Sequence, residues 1–360
     1  MGLATACELA EQGHSVEVFE ASEVANDRGG SGGVGRMFRI TYPEREVVSR
    51  LLSVARQWDR LEVRLGETLR SPIGALDYGD DQIVGQLADA LTSCDAPYEL
   101  IDKIEAADRW PELTLTGKVL VQGDGALIHS ELVLSALVSY LAQNGVPLRE
   151  QTPVSSIALT EDGVELRVGA ESREFSQVVV CAGSGTNGLC EGIIELPAVR
   201  TTQEFTLTFD CEAVGQALPI GSDHRRPPIP GESYFWLPSS PGRMKLGAFA
   251  TGLAIDPTSP PDQVCPEDLA AVLDDCARRT FNAGAELGNA ELAPCTYDFS
   301  PDEWFFAAAG GDGRLIAIGG FSGHGFKFAP YVAAATAQAV SSRGAEMPSG
   351  LPWSPLSIAA

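Results

Sequence analysis

Lysine is scarce in this chain of 360 residues. There are four, Lys103, Lys118, Lys245 and Lys327, and the remaining 21 of the 25 basic residues are arginine. Acidic residues number 49, and the formal net charge is −24. A surface of that sign repels nucleic acid and anionic lipid, so neither is an expected partner. No run of about 18 apolar residues occurs, which predicts no membrane-spanning helix. No basic segment leading into an apolar one opens the chain, so no secretory signal is read and a cytoplasmic location is expected. Met1-Gly2 has the form of a myristoylation start, but Ala6 stands where Ser or Thr is required. Histidines also number four, and the eight cysteines are scattered without a CxxC pair. No metal site is expected, and most of the thiols read as reduced and buried. No internal repeat or low-complexity tract appears. A hydrophobic content of 44% is enough for a sizeable core, in two domains or one large discontinuous one.

Glycine, by contrast, is abundant at two places. The first is Gly319-Gly320-Phe321-Ser322-Gly323-His324-Gly325-Phe326-Lys327-Phe328. A short apolar strand, Arg314 to Ile318, precedes it and an alanine-rich helix, Tyr331 to Val340, follows. Four glycines in seven residues let backbone N–H groups approach a ligand closely. The helix adds a positive N-terminus, and His324 and Lys327 place two ionisable groups beside that ligand. The second is Arg28 to Tyr42, a glycine-rich loop that rises into Arg36 and Arg39, three residues apart. That arrangement suits an anionic ligand, the alternative being a flexible linker.

The rest of the chain reads in short periods. Leu3 to Glu11 has helical spacing and stops at Gly13. His14 to Glu20 is a strand that ends in an acid. Glu44 to Leu65 and Pro266 to Phe281 are amphipathic helices. Ser130 to Asn144 is another, with Ser130 as its N-cap. Thr152 to Leu159 and Val164 to Val168 flank the turn Asp162-Gly163. Glu174 to Cys181 is another strand, whose buried end Val178 to Cys181 runs into Ala182-Gly183. Tyr234 to Pro238 and Met244 to Phe249 form a hairpin facing the active site, and Asp223 to Pro230 and Pro257 to Pro261 are loops. Lys245 sits in an apolar strand, where a lysine is costly without a partner or a task.

The segment Gly320 to Phe328 resembles the C-terminal flavin motif of the monomeric sarcosine oxidase and N-methyl amino acid oxidase family, within the D-amino-acid-oxidase-like flavoproteins. Weaker similarity extends from Gly2 to Val340. The resemblance implies an α/β chain, α+β overall. A Rossmann-like FAD-binding domain (1–66, 128–196 and 301–350) would interleave with a substrate domain built on an antiparallel sheet (67–127 and 197–300), leaving an irregular tail at 351–360. It implies FAD contacts at Gly2, Glu20, Ser31, Gly32, Gly33, Arg36, Val154, Gly183, Gly320, Phe321, Gly323, Gly325 and Lys327. Glu20 would hold the ribose hydroxyls and Val154 the adenine. Cys295, in Pro294-Cys295-Thr296-Tyr297, matches the family's covalent flavin attachment point, although Asp298 stands where Thr is usual. Lys245 would activate oxygen, with Arg36, His324 and Tyr297 completing the catalytic set. Arg39 and Lys327 would clamp the substrate carboxylate, bordered by Tyr234 and Phe249. Sarcosine-type enzymes tend to carry histidine at the position of Phe249, so a bulkier secondary or cyclic amine is favoured over sarcosine.

The implied reaction is oxidation of a secondary or tertiary amino acid by FAD, with oxygen reduced to hydrogen peroxide, in an enzyme expected to be monomeric. Two alternatives stand beside it: a dehydrogenase using another acceptor, and a flavin-free remnant. The second arises because only the last glycine of the GxGxxG fingerprint is present, as Gly2. The resemblance implies a strand and two further glycines ahead of Met1, lost through a misassigned start or a true truncation. Neighbouring strand edges are then expected to be unpaired beside an open hydrophobic slot.

Overall fold

The computed structural model describes residues 1–26, 29–211, 218–225, 233–257, 264–281, 287–350 and 352–353. Arg28, most of the two expected proline loops and most of the expected tail lie outside these.

Three helices pack together around one core. Gly2–Glu11 buries Ala4, Ala6, Cys7 and Leu9, and Ala329–Ser341 buries Val332, Ala333, Ala337 and Val340. Alanines at the contact allow the two helices to lie close. Ser130–Gln143 adds Val133, Leu134, Leu137 and Leu141. The sequence placed Ser130 at this helix's N-cap, but His129 takes that place. The Ser130 hydroxyl instead donates to the Gly33 carbonyl at 2.7 Å, tying the helix to the glycine loop. A fourth helix, Arg45–Leu65, buries Val47, Leu51, Val54, Trp58 and Leu61 at helical spacing and ends on left-handed Gly66. Its Trp58 indole donates to the Lys327 carbonyl at 2.7 Å, so this helix fixes the C-terminal glycine turn.

Beside the helices, Val178–Val180 runs parallel to Leu315–Gly319, which pairs antiparallel with Phe306–Gly310. Val18–Phe19 runs parallel to Leu148–Arg149. Among the described residues these two sheets share no ladder. Val16, Val18, Val178 and Val180 all line one cavity.

Among the described residues the largest sheet has nine strands. Its spine is the hairpin Tyr234–Ser240 with Arg243–Ala248, flanked by Arg200–Asp210 and Gly288–Phe299 on one side and by Ile220–Asp223, Ala75–Tyr78 and Val119–Gln122 on the other. Side chains alternate across it. Leu76, Tyr78, Phe205, Leu207, Trp236, Met244 and Leu246 form a second core on one face. Asp77, Ser222, Phe235, Leu237, Lys245, Thr206 and Thr208 occupy the other. This parity corrects the expectation for Tyr234. Ser233 and Phe235 face the cavity, so Tyr234 points into the second core, where it is 3% exposed.

Candidate active site

The cavity-side face of the sheet, the glycine loop and the C-terminal glycine turn enclose a cavity of about 2040 Å³. Its lining includes Gly2, Glu20, Val154 and Gly183, and also Arg36, Lys245, Cys295, Tyr297 and His324. The glycine loop comes close to neighbouring chain: a Cβ at Gly32 would lie 2.2 Å from the Asn26 carbonyl oxygen. The guanidinium of Arg36 holds it in shape, donating to the carbonyls of Gly35 (2.8 Å), Gly30 (3.0 Å) and Gly32 (2.5 Å). Its carbon also lies 5.3 Å from the Phe326 ring centre, so it bridges the two glycine segments.

Lys245 reaches the cavity from its strand and donates to the Val34 carbonyl at 3.2 Å. Burial, and then the Arg36 charge, push its pKa down to about 8. Cys295 also lines the cavity. Burial raises its thiol to about 11, against the opposing pull of Lys245.

Arg39 and Lys327 stand nearby, set by Tyr42 and Asp77. Asp77 is wholly buried in the strand Ala75–Tyr78. One of its oxygens takes a 2.8 Å hydrogen bond from His224 Nε2 and lies 3.6 Å from Arg39 Nη1. The other accepts the Thr41 hydroxyl at 2.7 Å. Burial alone would raise the Asp77 pKa, but Arg39 first, then His224 and Thr41, hold it below the ordinary carboxylate value. Arg39 Nη1 also donates to the Thr41 carbonyl and, at 2.7 Å, to its hydroxyl oxygen. That nitrogen is committed to protein, which leaves the Nε–Nη2 edge as the guanidinium's fork for a carboxylate.

Tyr42 lies between the cations. The Arg39 guanidinium is 5.2 Å and Lys327 Nζ 4.9 Å from its ring centre. Lys327 Nζ donates to the Tyr42 oxygen at 2.8 Å, and that oxygen is 2.9 Å from His324 Nδ1. His324 is boxed by aromatics, stacked on Trp304 with ring centres 5.7 Å apart and beside Phe249 at 5.1 Å. Burial, reinforced by neighbouring cations, lowers the pKa of His324 well below its ordinary value, and Lys327 is lowered likewise.

A cavity that receives a glycine loop, a second glycine turn and four cations, Lys327 buried and Arg36, Arg39 and Lys245 half-buried, suits an extended anionic cofactor. The family model for FAD dependent oxidoreductases matches residues 1–339. The chain belongs to that family. It is 25% identical over 343 residues to monomeric sarcosine oxidase of Arthrobacter sp. (strain TE1826), covering 92% of this chain and 87% of that one. It is 27% identical over 345 residues to N-methyl-L-tryptophan oxidase of Salmonella agona (strain SL483), covering 92% and 89%. Among solved structures, NikD, described as an unusual amino acid oxidase essential for nikkomycin biosynthesis, superposes with a TM-score of 0.84 at 22% identity, covering 97% of this chain and 95% of that one. L-proline dehydrogenase from P. horikoshii superposes with a TM-score of 0.80 at 17% identity, covering 96% and 92%. These two likenesses concern the fold. This family member is therefore an FAD-dependent oxidoreductase.

The lining is compatible with FAD. Its volume exceeds the roughly 300–1,000 Å³ of an ordinary ligand pocket. Gly2, Glu20, Ser31, Gly32, Gly33, Arg36, Val154, Gly183, Cys295, Phe321, Gly323, Gly325 and Lys327 all line it, as do Arg39, Lys245, Phe249, Tyr297 and His324. Gly320 does not. Its added Cβ would meet Phe306 at 2.9 Å and Ser300 at 3.0 Å, so this glycine serves packing between the Leu315–Gly319 strand and the chain beside it. Tyr234 is the other misplaced residue, for the parity reason above. Sequence reasoning assigned no role to Tyr42, Asp77, His224, Trp304 or Phe235. Asp77 carried a usable signal: a carboxylate within an apolar strand is buried only with partners. Phe235 was legible from the two-residue period once Lys245 was placed in the cavity.

Proposed function

We propose that this FAD-dependent enzyme oxidises a secondary or tertiary amino acid of the sarcosine, N-methyl or cyclic type, holding its carboxylate between Arg39 and Lys327. One observation carries the reading. Arg39 is paired with Asp77, whereas buried Lys327 makes no ion pair among the described residues and lines the same cavity. A buried cation without a counter-ion is costly, by several kcal/mol, unless a ligand supplies the anion. The names of the relatives support the same substrate class.

Bound FAD supplies the acceptor for a hydride equivalent from the carbon next to the amine. The protein's part is orientation and charge. The two cations fix the carboxylate, and burial beside them favours the neutral amine, the form that can release hydride. Phe249, Tyr297 and Trp304 wall the cavity and keep water from the reacting carbon. The larger apolar surface of Phe249 favours a bulky or cyclic substrate over sarcosine. Lys245 supplies positive charge where oxygen takes electrons on its way to hydrogen peroxide. Cys295 is the proposed attachment point of the flavin. Its thiol lines the cavity, where it would hold the flavin. The imine product leaves and hydrolyses.

The test is substrate affinity in two variants. Arg39→Met and Lys327→Met should each raise the dissociation constant for an N-methyl or cyclic amino acid by about 10- to 150-fold, the equivalent of a charged hydrogen bond of about 1.5–3 kcal/mol. Affinity unchanged in both would contradict the clamp.

A further inference from the structure

Lys327, Tyr42 and His324 form a chain of hydrogen bonds. An ammonium has three donors and no acceptor, so Lys327 donates to the Tyr42 oxygen at 2.8 Å. Tyr42 has one hydrogen, and 2.9 Å away stands His324 Nδ1. With the Tyr42 hydrogen directed to it, that nitrogen is the acceptor, without a hydrogen of its own. The ring's hydrogen is left on Nε2. We propose that Tyr42 is a positioning residue of this site, pinning the Lys327 ammonium and fixing His324 as the neutral Nε2–H tautomer, so that the ring offers a bound ligand one donor of defined direction.

The surroundings support this assignment. The groups facing His324 are Tyr42, Trp304 and Phe249 in ring contact, with Lys327 and Arg39 as the nearby charges. Both charges are positive and resist a third. Asp77, the carboxylate facing this cluster, is already shared by Arg39, His224 and Thr41. Burial pushes the Tyr42 hydroxyl up to about 12, so it keeps its hydrogen near neutral pH. The ring of Tyr42 separates the Arg39 and Lys327 charges while its oxygen links one of them to His324. The residue thus couples the proposed substrate clamp to the glycine turn.

The tautomer can be read directly. The chain has only four histidines, so ¹⁵N-histidine labelling of the FAD-loaded protein gives a small spectrum, and His324→Gln identifies the signal. The expected result is an Nε2–H ring that stays neutral between about pH 5.5 and 8, where a free imidazole would titrate. An Nδ1–H ring overturns the proposal, because His324 then donates to the Tyr42 oxygen and its Nε2 carries no hydrogen. Tyr42→Phe keeps the ring between the two cations and removes only the oxygen. In that variant the His324 signal should become a mixture of tautomers or a titrating ring. Flavin reduction by an N-methyl or cyclic amino acid should slow on the order of tenfold at unchanged flavin content. An unchanged His324 signal in Tyr42→Phe also overturns the proposal. The kinetic arm rests on the amino acid oxidase reading and the tautomer does not. An Nε2–H signal that depends on Tyr42, in a protein that no amino acid reduces, would sink that reading and leave the role of Tyr42 standing.

Discussion

Asp77 shows how much a single buried group decides here. Its ionised form is stabilised by Arg39, His224 and Thr41 against the cost of burial, so its folded-state pKa lies below its unfolded value. That stability is present above the unfolded pKa, about 3.9, and is lost as pH falls through the folded value. Asp77→Asn removes it and leaves the Arg39 charge uncompensated. The expected cost is about 3–5 kcal/mol at neutral pH, and the gap to the parent protein should shrink on acidification. Melting temperatures at several pH values check this; a constant gap down to acid pH would contradict it. Lys245 gives a second prediction. It retains its charge below about pH 8 and loses it above. Flavin reoxidation by oxygen should slow as pH rises through that value, and Lys245→Met should slow it by about 10²- to 10³-fold while leaving reduction far less affected. Stopped-flow measurement of the two half-reactions separates the cases, and equal slowing of both would make Lys245 structural. Cys295 gives a third. The flavin should stay with the denatured polypeptide, and Cys295→Ser should carry the same flavin only non-covalently. An unmodified polypeptide mass from a flavin-loaded parent preparation contradicts the attachment.

At the scale of elements, the C-terminal glycine turn was the most legible part of the chain, and it also shows the limit of reading glycines by type. Four of them looked alike in sequence. Gly323 has a φ of +75°, and a Cβ there would lie 2.8 Å from both the Phe249 and Tyr297 rings. Gly323→Ala is therefore strained in backbone and contact together. A loss of about 1–3 kcal/mol in stability and a fall in flavin content are expected; an alanine variant with parental melting temperature and flavin content would contradict this placement. Gly320 has a similar φ of +66° but faces Phe306, away from the cavity. No local pattern distinguishes the two, because the difference lies in which distant side chain fills the space. The hairpin was read correctly as an element and half-read as a surface. Strand alternation puts Lys245 and Tyr234 on opposite faces, so the two could never have shared one cavity. Asp77 and His224 are 147 residues apart, and their pairing follows from two strands meeting edge to edge, which sequence period does not specify.

On the scale of the whole molecule, the cavity lies where the helical core, the nine-stranded sheet and two glycine segments converge. The helical periods and the alternation of the hairpin were visible in the sequence because each reports a single local repeat. The convergence was visible only through family resemblance, since its contacts join residues such as Tyr42 and Lys327 across 285 positions. Its chemistry is charge placed against the general trend. A chain with a net charge of −24 and four lysines in all sends two of them, with Arg36 and Arg39, into one cavity. Under the proposed function these cations select an amino acid by its carboxylate, and FAD takes its electrons. The most direct measurement mixes the FAD-loaded protein, without oxygen, with an N-methyl or cyclic amino acid and, separately, with the same amine lacking its carboxylate. The amino acid should bleach the flavin absorption, and the carboxylate-free amine should do so at least tenfold more slowly. Bleaching by both at the same rate, or by no amino acid of this class, would contradict the proposed function.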